Sequence, residues 1–250
     1  MRAVLTYHSL DDSGSVISIS PAQFRRHLEW LARSRVRVCT LEQLVQESSS
    51  STRSTSDGHA VALTFDDGFA NFASVAWPLL REHGFPSTLF VVPRRVGRDN
   101  RWTSIPDAGI PILPLLDWDA LGGLVGDGVA IGAHTRTHPH LPQLGEAQME
   151  DEIVGSADDI AAHTGARPVS FAYPYGAVNA TAGRIAARAF RVACTTEFRT
   201  LNARTVSSLV PRLDSYYFRE PGQLRDWDSL MFRTRLRLRG GLRRVRQLLS

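Results

Sequence analysis

The sequence predicts an α/β fold assembled from parallel βα units. Short apolar runs alternate with helix-period segments along most of the chain, which is the signature of strands joined by crossover helices. The 250 residues suffice for one large domain with a substantial core, and no internal repeat or linker interrupts them before residue 218. An open doubly wound sheet and a closed barrel both satisfy this pattern.

The elements follow in order. Ala3–Tyr7 reads as a strand, and Pro21–Ala32 as a helix with Ser20 as N-cap and Pro21 at its first position. Arg35–Thr40 is strand-like, and a short helix starts at Leu41. Residues 48–58 are polar and low in complexity, with too little apolar surface to bury, and are expected as a surface loop. Ala60–Phe65 is a strong strand, followed by a helix near Phe72–His83 and a strand over Ser87–Val92. Arg94–Pro114 is an insertion punctuated by Pro and Gly. Then come a helix near Asp117–Val125, a strand over Val129–Gly132, a long helix over Glu146–His163 and a strand over Val169–Ala172. A helix near Val178–Ala189 leads to strand Arg191–Thr195, and Ser208–Arg212 is the candidate last strand.

The charge is segregated. All 29 basic residues are Arg, a bias read as compositional rather than functional. Seven of them lie after residue 228 with no acid, whereas the other 22 face all 25 acids, giving the body −3 and the tail +7. The high pI of 9.6 therefore belongs to the tail, and the body is not built to bind nucleic acid or another polyanion. Cys39 and Cys194 sit in apolar segments without CxxC spacing and are expected as buried free thiols. The start of the chain lacks the apolar stretch of a secretory signal, and no segment has the length of a membrane span, so a cytoplasmic location is expected.

Three motifs carry chemistry, each at the C-terminal end of a predicted strand, where α/β folds place their sites. The first is Thr64-Phe65-Asp66-Asp67-Gly68, whose adjacent carboxylates could divide metal binding and proton transfer between them; alone, an Asp-Asp-Gly turn is common. The second is Gly132 to Leu141, with His134 and His138 four residues apart, a spacing that brings two imidazoles to one cation. His140 leaves other pairings open. Two His and one carboxylate leave free positions on a metal, as a catalytic site requires. The third is Phe171 to Gly176, where Pro174 and Gly176 fix a tight loop whose backbone N–H groups suit an oxyanion hole, although such a loop is also an ordinary strand ending.

Together these residues resemble the polysaccharide deacetylases with a NodB-type domain. The resemblance runs from about residue 1 to 215, carried by Thr-Phe-Asp-Asp-Gly followed by His-Thr-x-x-His. It implies a deformed (β/α) barrel over 1–218, with 219–250 as an Arg-rich tail, and a metal-dependent hydrolase that removes N-acetyl groups from a sugar or polysaccharide. One divalent cation, zinc with cobalt or nickel as alternatives, would be held by Asp67, His134 and His138. Asp66 would be the general base, the Tyr175 backbone N–H would hold the oxyanion, and Tyr173, Pro174 and Tyr175 would meet the substrate. The family's Arg two residues before the third-motif Pro is replaced by Ala172, and Arg212 is the candidate substitute. The C-terminal catalytic His is also missing, since no His follows His163. Tyr7-His8 with Ser-Pro-x-x-Phe at 20–24 resembles the permuted branch containing poly-N-acetylglucosamine deacetylases, which makes His8 the general acid.

The alternatives are a metal-dependent amidase acting on a non-sugar amide and a non-catalytic sugar-binding scaffold. Trp77, Trp102, Trp118, Tyr173 and Tyr175 are candidates to line the mouth. The tail is expected either to lie solvated or to make peripheral contact with anionic lipid or another polyanion. Leu242, Val245 and Leu249 would share one helical face there, while Gly240-Gly241 would interrupt any long helix.

Overall fold

A computed structural model describes residues 1–49, 58–102, 109–220 and 222–249, with side chains given through Leu242. Most of the polar stretch expected as a loop, residues 50–57, lies outside the described residues, as do 103–108 of the insertion and the side chains of Val245 and Leu249.

The strands are β1 (Arg2–Tyr7), β2 (Ser9–Leu10), β3 (Ser18–Ile19), β4 (Arg37–Val38), β5 (Ala60–Phe65), β6 (Ser87–Val91), β7 (Ala130–Ala133), β8 (Ser170–Ala172), β9 (Val192–Cys194) and β10 (Leu213–Asp214). The helices are α1 (Pro21–Arg33), α2 (Leu41–Ser49), α3 (Trp77–Glu82), α4 (Trp118–Gly126), α5 (Glu146–Thr164), α6 (Ala180–Ala189) and α7 (Leu230–Leu249). Local chemistry sets several boundaries. The Ser20 hydroxyl accepts from the Gln23 backbone and the Gln23 side chain accepts from the Ser20 backbone, closing a capping box on α1. Asp117 and Asn179 cap α4 and α6 in the same manner.

The parallel strands run β10-β1-β5-β6-β7-β8-β9. β1 covers one whole edge of β5, while the opposite edge is shared: β4 pairs with Ala60 and Val61, β6 with Leu63 to Phe65. That division is the deformation of the barrel. Closure comes from residues 210–214, because Val210 bridges Cys194 of β9 while Leu213 and Asp214 pair with Leu5 and Thr6 of β1. The last strand thus lies later than expected. The Ser208–Arg212 run reads as apolar, but its start serves mainly as the link to β9.

Alternate strand residues point inward, so Val4, Ala62, Phe90, Ala172 and Cys194 form an inner cluster that Leu41, Leu44 and Val45 of α2 join from one end. The outer faces of the strands pack on the other helices in a larger cluster. Both cysteines are buried and free, as expected. No helix among the described residues is long and apolar enough to cross a membrane.

The tail departs from expectation. α7 is continuous through Gly240-Gly241, and Phe232 and Leu236 bury its inner face. A Cβ on Gly240 would stand 2.7 Å from the Phe198 carbonyl oxygen, so the glycine is a point of close approach rather than a break. Gly241 has nothing within 4 Å of such a Cβ. The two neighbours should therefore respond oppositely to alanine. Gly241→Ala should stabilise α7 by about 1 kcal/mol through helix propensity, while Gly240→Ala should lift it from the body. Chemical denaturation and protease sensitivity of the tail check both signs.

Candidate active site

The site lies where the strands end. Val4, Thr6 and His8 continue one inward row and Ala62, Thr64 and Asp66 the next, and the Thr6 and Thr64 hydroxyls meet at 3.0 Å. Extended backbone would turn Asp67 away from Asp66. Instead Asp67 has φ 73°, a left-handed conformation that keeps both carboxylates in the cleft. Of the five described non-glycine residues with positive φ, four are Asp67, Thr135, His138 and Tyr175. Such conformations are costly and persist where surrounding contacts dictate them.

Those contacts are visible around the His loop. The Thr135 hydroxyl accepts from the His138 backbone at 3.0 Å, and the Thr137 hydroxyl donates to Glu152 at 2.6 Å. Arg136 turns outward, binds Asp159 with Nε and Nη2 at 2.8 and 2.7 Å, and reaches Asp151. Its guanidinium lies over Gly155 of α5, where a Cβ would come within 2.5 Å. Sequence reasoning missed this clamp; the acids of α5 facing a loop Arg were its only trace.

Asp67, His134 and His138 are buried and present ligand atoms within 4.8 Å of one another. Asp67 Oδ1 stands 3.5 Å from Nε2 of each imidazole. His134 Nδ1 donates to the Ala172 carbonyl at 2.7 Å, which in the neutral ring leaves Nε2 as a lone pair aimed at the carboxylate. Asp67 Oδ1 is buried without a hydrogen bond. Lone pairs converging without a proton between them fit a cation, and two ligands on one small tetrahedral ion stand roughly 3.4 Å apart. His140 is not in this cluster; its ring stacks on Tyr175 at 4.0 Å.

Arg212 is brought onto Asp66. Its Nη1 and Nη2 donate to the two Asp66 oxygens at 2.7 Å each, and Nε donates to the Thr195 carbonyl. Burial alone would raise the Asp66 pKa, but Arg212 and His8 hold it well below the usual carboxylate range. Burial pushes His138 down to about 3 against the pull of Asp67. At His134 burial opposes protonation, and Asp67 and Asp66 outweigh it to raise the pKa.

His8 Nε2 lies 3.8 Å from Asp66 Oδ2 at the cleft wall. The cleft, of about 190 Å³, is also lined by Trp102, Tyr173 and Tyr175. Trp102 stacks on His138 at 4.3 Å. Tyr173 turns its hydroxyl away to the Ser208 carbonyl, and Pro174 is buried outside the lining. Trp77 and Trp118 lie elsewhere, the first on Asp127 and the second stacked on His163.

The barrel thus carries its candidate site at the C-terminal ends of its strands. Residues 53–191 match the family model for polysaccharide deacetylases, and the chain belongs to that family. YxkH of Bacillus subtilis (strain 168), a protein named for the same family, is 24% identical over 157 residues, 61% of this chain and 49% of that one. The chain thus spans about half the length of the curated relative it matches. Among solved structures, IcaB from Ammonifex degensii superposes with a TM-score of 0.71 at 24% identity, covering 86% of this chain and 94% of that one. The Streptococcus pyogenes deacetylase PplD gives 0.70 at 22%, covering 85% and 91%. At these identities the structures establish the fold, a deformed barrel of the NodB type.

Two outcomes follow. Cation binding needs neutral imidazoles and an ionised Asp67, so zinc affinity measured by titration calorimetry should fall at least about tenfold between pH 7.5 and 5.5 as His134 takes a proton. Arg212→Gln leaves Asp66 buried without its counter-charge and should cost about 3–5 kcal/mol near neutral pH. In the parent the Asp66 pKa is depressed, so its stability is present above the unfolded carboxylate pKa and lost as pH falls through the native value. In the variant burial raises that pKa, so the gap between the two should widen as pH rises through the carboxylate range. Urea denaturation across that range checks this.

Proposed function

We propose that the chain is a divalent-cation-dependent carbohydrate N-deacetylase. The observation that carries this reading is the set of converging lone pairs on Asp67, His134 and His138 beside the ionised Asp66. Membership of the polysaccharide deacetylase family and a fold shared with proteins named as deacetylases support the same substrate class.

Asp67, His134 and His138 would hold the cation, which when bound acidifies a water and polarises the acetamide carbonyl. The chain's own groups do the rest. Asp66 accepts the proton of the attacking water. Its low pKa makes it a weak base, so it suits a water already made acidic, and Arg212 keeps it ionised and aimed. The Tyr175 backbone N–H, at a left-handed turn on the cleft wall, would face the developing oxyanion. His8, whose Nε2 lies 3.8 Å from Asp66 Oδ2, would protonate the leaving amine. Water and amide then yield acetate and the free amino sugar. Trp102 and Tyr175 offer apolar ring surface beside the cation site for a sugar face.

The test is acetate release from N-acetylglucosamine oligomers by metal-stripped protein, by zinc- or cobalt-restored protein, and by Asp66→Asn. Release should require the cation and drop at least about 10²-fold in Asp66→Asn, the scale of a lost general base. A bound cation with cleavage of non-sugar amides only would point to an amidase. A chain that binds no cation at all would be a sugar-binding scaffold.

A further inference from the structure

α7 has two apolar stripes, and the fold uses one. Phe232 and Leu236 are buried against the body, where Phe232 faces Phe218 and Trp227. Met231, Leu238 and Leu242 are 64, 67 and 68% exposed. Spacings of seven and eleven residues put these three within about 20° of one line along a helix of 3.6 residues per turn, well away from the buried stripe. Exposed apolar residues scattered singly need no explanation, but three aligned on one helix do.

The charge around that line is of one sign. Around the helix axis Arg235 and Arg239 lie about 40° and 80° to one side of it, and Arg237 and Arg233 about 120° and 160° to the other, while no acid follows Asp228. Among the described residues Arg235 and Arg237 have no acidic partner, whereas Arg233 is held by Asp228 and Arg239 reaches the Tyr217 carbonyl. Arg233 and Arg237 also line a cleft of about 240 Å³ with Arg199, and Asp228 is the acid in that lining. An apolar line with Arg235 beside it, on a helix whose charged residues are all Arg, is the arrangement of a helix lying in a bilayer interface, its apolar side chains among acyl chains and its cations among phosphates. Charge therefore selects an anionic surface, and the aligned apolar line selects one with a hydrocarbon layer beneath it.

We propose that the outer face of α7 docks the protein onto a bilayer surface of anionic phospholipid. The docking is independent of the cleft chemistry, since none of these residues lines the active-site cleft.

The experiment is vesicle co-sedimentation of the full chain at about 0.1 M salt, with phosphatidylcholine alone and with about one third phosphatidylglycerol. Binding to the anionic vesicles should exceed binding to the neutral ones at least tenfold and should fall with added salt. A Met231→Ser, Leu238→Ser, Leu242→Ser variant should lose at least tenfold in partitioning, with thermal stability and activity on a soluble substrate unchanged. Arg235→Gln with Arg237→Gln should also weaken binding, by roughly fivefold per charge removed. Equal binding to both vesicle types overturns the proposal, as does a triple-Ser variant that binds like the parent. Two further results would also overturn it: parallel retention of both proteins on a DNA duplex without vesicle binding would assign the face to a polyanion, and a dimer that the triple-Ser variant converts to monomer, again without vesicle binding, would assign it to a second copy.

Discussion

Barrel closure and the ionisation of Asp66 depend on the same contact, the buried pair between Asp66 and Arg212. Asp66 directly follows the central strand β5, and Arg212 lies in the segment that joins β9 to β1. A guanidinium buried there is stabilising only if its donors are satisfied, because desolvation is large on both sides of the pair. Here each of its three nitrogens has a partner, among two carboxylate oxygens, the Thr195 carbonyl and the more distant Thr64 hydroxyl. One side chain thereby ties together the ends of β5 and β9 and the strand between β9 and β1. The fork geometry is specific to Arg, and a Lys in its place would supply the charge without the two parallel bonds.

The second constraint is backbone strain concentrated at the mouth. Adjacent carboxylates on a strand would face opposite sides of the sheet, yet both are needed in one cleft. The left-handed turn at Asp67 resolves this, and the two groups then meet different neighbours. Asp66 faces a cation that is part of the chain; Asp67 faces two imidazoles. Different surroundings of this kind separate the roles of neighbouring titratable groups. Thr135 and His138 carry the same backbone conformation, at a cost of about 1–3 kcal/mol each, offset by the Thr135, Arg136 and Thr137 bonds that anchor the loop to itself and to α5.

Most strands and helices were legible because periodicity and capping are local properties: Ser20-Pro21 and Asp117 announce their helices directly. Strand alternation placed both the Asp66-Asp67 and the His134–His140 stretches at the mouth, but the choice of Asp67, His134 and His138 among them came from the family resemblance. Arg212 could be named only as a substitute for a missing family residue, since its partner lies 146 positions away. The barrel closure was placed too early because residues 208–212 are apolar for a reason other than pairing along their whole length. The Arg136 clamp, the Trp102 stack and the continuity of α7 through two glycines all depend on what another segment places opposite. No local pattern encodes that.

Net charge shows the same limit from the other side. A pI of 9.6 suggests a basic protein, but the basic surplus resides in the tail and the site is anionic. In the cleft two buried carboxylates face one Arg, and His138 is held neutral by burial. The remaining negative charge on Asp67 must be balanced, since an uncompensated buried charge is among the most costly features a fold can carry. His134 can balance it by taking a proton, which is the direction in which Asp67 drives it. A divalent cation can balance it in the proton's place, and it engages His138 as well, which a proton on His134 leaves unused. The cluster thus fits the cation proposed for it, and a proton on His134 would compete for the same lone pair.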